Sequence, residues 1–269
     1  MKGIWKTIDY WRIKRMKQLL DCEMAYYQCF SESEESDATI RFVDEKLLDM
    51  YDHNYTYVKE KLEEKRLEAI INEEVNRSKR EEKTFCKFDL PYMPNEIHEV
   101  DGIAPEVSRL GIYEFLSEDT SHLNGNDECV MKQIVNEEVL DDLVFLDLIH
   151  DRERLGEDFC KRRAYRRGRV YLKEGGVDSY ICYHEGRPVG NVDLFIYNGM
   201  AKIEDFAVIP SEQRKGYGTA MIKYLIDLAK SKGVKRIYLV TDEEDTAKEM
   251  YRKLGFEKLG EKVEIFYYL

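Results

Sequence analysis

The stretch SEQRKGYGTAMIKYL, residues 211 to 225, places Gly216 and Gly218 on either side of Tyr217, where an apolar strand pattern gives way to a helical one. Residues of these types in that arrangement bind anions. The first N–H groups of a helix have no partner within it, and the helix dipole adds positive character at the same end. Glycines let a ligand come up against the backbone, so the successive N–H groups of residues 214 to 219 are expected to form a concave nest. Arg214 and Lys215 add charge beside it.

Three phosphate ligands suit a glycine loop of this kind. A Walker loop needs G-x-x-x-x-G-K followed by Ser or Thr, which the chain does not supply. A dinucleotide fingerprint is closer, since Gly216 and Gly218 give G-x-G and Asp242 ends the next strand pattern. Its third small position is Met221, however, and Pro210 with five further residues separates strand from glycines. The pyrophosphate arm of coenzyme A needs only the nest and the strand before it.

The elements that position this loop are legible on both sides. DSYICYHEGRPVGNVDLFIY, 178 to 197, reads as two strands around a turn at His184 to Pro188, and AKIEDFAVI, 201 to 209, as a third. A helix runs from Tyr217 to about Ser231, then strand RIYLVTD, a helix over DTAKEMYRKLGF, and a last strand KVEIFYYL. Helical patterns also cover 136 to 150 and EDFCKRRAYRR. Hairpins followed by strand, helix, strand, helix, strand describe an α/β sandwich on a mixed sheet.

The first half has a different texture. It opens with an amphipathic stretch from Tyr10, then a polar break, a strand ATIRFV, and one long helix expected over residues 55 to 83 with Val58, Leu62, Leu67, Ile70, Ile71 and Val75 at helical spacing. Strands TFCKFDL and EVSRLGIYEFL follow. The polar segment SEDTSHLNGNDE, 117 to 128, marks the expected boundary between an N-terminal α/β domain, 1–122, and a C-terminal domain, 126–269.

A net charge of -12 over 269 residues argues against nucleic acid and anionic membrane as partners and agrees with a cationic or neutral small one. With no apolar run of about 18 residues and a charged N-terminal stretch, a cytoplasmic protein is expected. The six cysteines form no C-x-x-C pair and the five histidines no ligand spacing, so buried reduced thiols and no metal site are expected. Cys22 and Cys29, seven apart, would share one helix face.

Residues 203 to 222, IEDFAVIPSEQRKGYGTAMI, resemble the acetyl-CoA-binding segment of the GNAT superfamily of N-acetyltransferases. That segment is a strand ending in V-x-P, then Gln or Arg, two residues, Gly, one residue, and Gly or Ala; Gln213, Gly216 and Gly218 match in place. AKEMYRKLGF, 247 to 256, resembles the same family's late helix, and the resemblance covers about 126 to 269. It implies a GNAT acyl-CoA N-acyltransferase fold, with a mixed, mainly antiparallel sheet flanked by helices.

It also implies acetyl-CoA as co-substrate and a small-molecule or peptide amine as acceptor, in a monomer or homodimer. Phe206, Ala207 and Val208 would pair with the pantetheine chain, one of their amides polarising the thioester carbonyl. Gln213, Arg214, Lys215, Gly216, Tyr217, Gly218 and Thr219 would hold the pyrophosphate. Glu244 stands seven residues before Tyr251, where many members carry an asparagine that touches the coenzyme. Tyr251 matches the tyrosine that protonates the departing thiolate in many members; the plainer alternative is a packing residue, in a chain with 19 tyrosines. Glu204 and Asp205 are the candidate bases, expected on opposite faces of one strand, with a water relay as the alternative. The first half imitates part of the same fold and reads as a degenerate second copy or as an unrelated α/β domain. A non-catalytic coenzyme-binding or interaction module is the competing function.

Overall fold

A computed structural model describes residues 16–173 and 176–269; the first residues of the stretch read from Tyr10 lie outside them. In chain order the elements are helix α1 (16–27), strands β1 (Glu32–Glu35), β2 (Thr39–Val43) and β3 (Tyr55–Val58), helix α2 (Glu64–Arg80), then strands β4 (Phe85–Leu90), β5 (Glu106–Phe115) and β6 (Val130–Gln133). Helices α3 (Glu137–Leu155) and α4 (Glu157–Tyr171) follow, then β7 (Asp178–His184), β8 (Arg187–Tyr197), β9 (Met200–Val208), α5 (Tyr217–Ser231), β10 (Arg236–Asp242), α6 (Ala247–Lys253) and β11 (Phe256–Tyr268). The fold class is α/β, with mixed, mainly antiparallel pairing flanked by helices.

The chain groups into two compact units, each built from separate stretches of sequence. One takes the described residues up to Cys29 together with 113–240 and 250–259; the other takes 30–112, 241–249 and 260–269. The grouping does not follow a single cut near residues 122 to 126, because α1 joins the later strands and the end of β11 joins the earlier ones.

In the unit that carries the glycine loop the strand order is β6-β7-β8-β9-β10. The first three pairings are antiparallel and β9–β10 is parallel, with α5 as the crossover. Asn136 starts α3 by accepting a hydrogen bond from Val139 N–H at 3.0 Å. Met221, Ile222, Leu225, Ile226 and Ala229 form the buried stripe of α5, which packs on β8 and β9. The opposite face of β8 and β9, carrying Asp193, Phe195, Lys202 and Glu204, meets α1 and α4: Tyr26 stacks edge-on against Phe195, and Tyr171 O–H donates to Asp193.

The other unit has strand order β1-β2-β3-β4-β11. Its core joins Leu67, Ile71 and Val75 of α2 to Phe88, Leu90, Val263 and Ile265. The long helix expected from residue 55 begins only at Glu64. Tyr55–Val58 is strand β3, entirely buried between β2 and β4. β-Branched and aromatic residues in a run of four suit a buried strand as well as a helix turn, and pairing on both sides decides it.

Two cysteine expectations change. Cys129 and Cys182 form a disulfide with Cα atoms 5.8 Å apart, because the β6–β7 register sets Met131 opposite Cys182 and so brings Cys129 alongside. Cys22 lies in α1, but Cys29 lies beyond its end, where its thiol meets the Ala25 carbonyl. Cys22, Cys86 and Cys160 are free and buried.

Candidate active site

The candidate site begins at a defect in the β8–β9 ladder. Asp193 pairs with Glu204 and Asn191 with Ala207, so two steps on β8 face three on β9. One extra residue makes a β-bulge. Asp205 absorbs it with φ of 51°, in the left-handed region that Asp tolerates better than most side chains.

The bulge cancels the alternation expected for Glu204 and Asp205. Both carboxylates lie on the same face: Glu204 is the cross-strand neighbour of Asp193, and Arg167 of α4 ion-pairs with Asp193 and Asp205 together. Asn191 donates through Nδ2 to the Asp205 carboxylate and to its carbonyl oxygen, at 2.8 Å each. Glu204 instead meets the ammonium of Lys202 at 2.8 Å. Lys202 is fully buried, and its second carboxylate partner is Glu23 of α1 at 2.7 Å.

Beyond the bulge β9 has an open side. Its parallel ladder with β10 runs from Met200↔Arg236 to Ile203↔Leu239, while β9 itself continues to Val208. Ala207 and Val208 stay paired with Asn191 and Gly190 of β8, while the β9 side turned away from β8 carries no β10 ladder pairing after Ile203 among the described residues, as a chain laid alongside would need.

The loop then takes a left-handed turn. Arg214 has φ of 64° and Gly216 φ of 88°, so left-handed residues alternate through the turn. No side chain caps α5; Gly216 is its N-cap, and the first helical bond is Ala220 N–H to the Gly216 carbonyl at 3.1 Å. The N–H groups of Tyr217, Gly218 and Thr219 precede that bond and have no carbonyl partner within the helix. Gln213 fixes the loop's start by donating from Nε2 to the Val208 carbonyl at 3.0 Å. Lys215 meets Glu212 at 3.0 Å and Arg214 is exposed. Tyr217 buries its ring beside His184, so only its backbone is offered.

Tyr251, buried on α6, sets its ring edge-on to Phe206 at 6.2 Å between centroids and to Phe256 at 6.0 Å. Gly218 faces the same Phe206. A Cβ at 218 would stand 3.0 Å from Phe206 Cζ and 3.5 Å from Met250 Sδ. The structure thus brings Phe206, Gly218 and Tyr251 together. Glu244 lies in the 241–249 segment grouped with the other unit, where its N–H bonds the Asp242 carboxylate at 2.8 Å.

Several residues of this site carried no local signal. Asn126, read as boundary sequence, straps the loop: its backbone N–H donates to the Gly216 carbonyl at 3.1 Å and its Nδ2 to the Lys215 carbonyl at 3.0 Å. Arg167, Asn191 and Glu23 each reach their partners across more than ten residues of sequence. Burial pushes the Asp193 carboxyl up to about 7, against the opposing pull of Arg167. Among the described residues no group of three or more His, Cys, Asp or Glu is arranged to hold a metal ion, and no helix is long and apolar enough to cross a membrane.

The model of the acetyltransferase (GNAT) family matches residues 144–256, from α3 through the bulge and nest to α6. This segment is a GNAT-family domain. The chain is 33% identical over 125 residues to an uncharacterised N-acetyltransferase, CgeE, of Bacillus subtilis (strain 168), a match covering 45% of this chain and 48% of that protein. The chain thus spans about half the length of that curated relative. A GCN5-related N-acetyltransferase from Kribbella flavida shares the fold with a TM-score of 0.64 at 11% identity, over 93% of this chain and 94% of the other. A tandem GNAT protein from the clavulanic acid biosynthesis pathway gives 0.52 at 12% identity, over 86% and 80%. The GNAT fold expected from residues 203 to 256 is the fold observed.

Proposed function

We propose that the chain is an acetyl-CoA-dependent N-acetyltransferase that moves the acetyl group directly to a primary amine of a small molecule or peptide. The observation that carries this reading is the combination of the open β9 edge at 204–208 with the left-handed turn at Arg214 and Gly216. An extended pantetheine chain needs the first and its pyrophosphate the second. Phe206, Ala207 and Val208 would receive the pantetheine amides, and residues 213 to 219 the phosphates.

In the reaction a neutral amine nitrogen attacks the thioester carbonyl carbon, the oxyanion takes a hydrogen bond from a β9 amide, and the C–S bond breaks as the carbonyl re-forms. Tyr251 gives its proton to the thiolate, and the proton lost by the amine goes to Glu204 or Asp205, directly or through water. Acidic side chains at the acceptor end also attract a cationic amine. No metal takes part in this scheme. The protein would act in the cytoplasm as a monomer or homodimer, on neither nucleic acid nor membrane.

By sequence, residues 126–269 would be the acetyltransferase domain and 1–122 a degenerate second copy. Supporting the copy, β3, α2 and parallel β4 repeat the order of β9, α5 and parallel β10, and the connection at 59–63 contains no glycine. One observation favours a non-catalytic coenzyme-binding module instead: both candidate bases are held in ion pairs. Thiol release from acetyl-CoA across a panel of amines tests the proposal. Release with at least one amine supports transfer, and tight coenzyme binding with none supports the module.

A further inference from the structure

We infer that Arg167 and Asn191 are positioning residues that lock Asp205 into the β9 bulge and so hold the strand's free edge in the form that receives a coenzyme, which rests on the acetyl-CoA reading above. Asp205 is then a scaffold group, which leaves Glu204, paired with Lys202, as the remaining candidate base.

The bulge has an energetic cost. A left-handed non-glycine residue is disfavoured by about 1 to 2 kcal/mol and persists only where its surroundings impose it. Here the surroundings are specific to one conformation. Asn191 spends both of its amide hydrogens on Asp205, one on the carbonyl and one on the carboxylate, which fixes backbone and side chain at once. Arg167, buried to all but a few per cent, reaches the same carboxylate from α4 and ties it to Asp193 of β8. Tyr171 donates to Asp193 at 2.7 Å from one turn further along α4.

Removing the extra residue from the ladder would turn Asp205 to the opposite face, as any one-residue slip does. Arg167 would lose it. The guanidinium would then keep only Asp193 of its two carboxylate partners, and Asp193 is itself fully buried. A buried charge stripped of one partner is strongly unfavourable. The ion pair and the bulge therefore stand or fall together. Because the bulge lies immediately before Phe206, Ala207 and Val208, its loss would rotate the backbone groups that a pantetheine chain would meet.

The test compares Asn191→Ala, Arg167→Met and Arg167→Lys with the wild type, each checked for cooperative thermal unfolding. Hydrogen exchange is read for the amides of 205–208 and of α5, with acetyl-CoA affinity by calorimetry. The lock predicts exchange at 205–208 faster by about 10-fold or more in Asn191→Ala and Arg167→Met, with α5 unchanged, and acetyl-CoA binding weaker by a similar factor. Arg167→Lys, which keeps the charge and loses the fork, should restore part of both. A merely structural role would speed exchange in α5 as well. Folded Asn191→Ala and Arg167→Met with wild-type exchange at 205–208 would overturn the inference. If Arg167→Met fails to fold, Asn191→Ala decides alone. Wild type that binds no acetyl-CoA would overturn the functional reading, while the exchange rates would still decide the lock.

Discussion

The backbone N–H of Asn126 is bonded to the carbonyl of Gly216 at 3.1 Å, which ties the segment before β6 to the residue that opens α5. The same segment packs so closely that a Cβ on Gly125 would stand 2.6 Å from the Cα of Ala220. The glycine loop is thus held from outside by residues some 90 positions earlier. Gly125→Val should push the strap off α5 and Asn126→Ala should free the Lys215 carbonyl. Each is expected to weaken acetyl-CoA binding, about 10-fold for the first and about 3-fold for the second. Calorimetry on the folded variants measures both; unchanged affinity in both would show that the strap does not shape the loop.

Gly218 faces Phe206 across the strand-to-helix turn. Valine there adds three carbons where one already meets Phe206 Cζ at 3.0 Å, so the ring or the first turn of α5 must move. Acetyl-CoA binding is expected to disappear in Gly218→Val, with α5 still helical by circular dichroism. A variant that binds as the wild type does would place the phosphates elsewhere.

Tyr251→Phe keeps the ring contacts with Phe206 and Phe256 and removes the proton donor. The turnover number should fall by about 10 to 1000-fold with little change in coenzyme affinity, the range expected for a general acid. Pre-steady-state rates, taken where chemistry limits turnover, distinguish this from a packing role.

Asp193 links stability to pH. Burial raises its carboxyl to about 7, far above its ordinary value, so between those two values the folded chain holds a proton that the unfolded chain has released. Its contribution is therefore greatest in acid and is lost as pH rises through about 7. Thermal midpoints of the wild type between pH 5 and 8 should include this fall, and Asp193→Asn should flatten it. An identical slope in the variant would remove Asp193 as the source.

Lys202 is buried with Glu23 on one side and Glu204 on the other. Glu23→Ala leaves that ammonium short of a partner and should cost about 3 to 5 kcal/mol in urea unfolding. A chain begun near Asn126 lacks Glu23 altogether and should show at least the same loss, whereas full stability would make α1 dispensable to this unit.

The local pattern of residues 178 to 256 determined a good deal by itself. Two strands around a turn, a third strand, and a glycine turn into an amphipathic helix are each encoded within a few neighbouring residues, so β7, β8, β9 and α5 were legible. So was the glycine turn, because Gly216 takes a left-handed backbone and Gly218 a close approach to Phe206. What the tertiary structure decided is everything set by pairing between distant segments. Strand β3 looked helical at Tyr55–Val58 until neighbours claimed both its edges, and Cys129 met Cys182 only through the β6–β7 register. The bulge at Asp205 is invisible in IEDFAV, since it belongs to the mismatch between β8 and β9 and to Arg167 and Asn191, which fix it from 38 and 14 residues away. Period-two alternation holds only while a ladder stays in register, and the side chain of a candidate base turns with the first residue that breaks it.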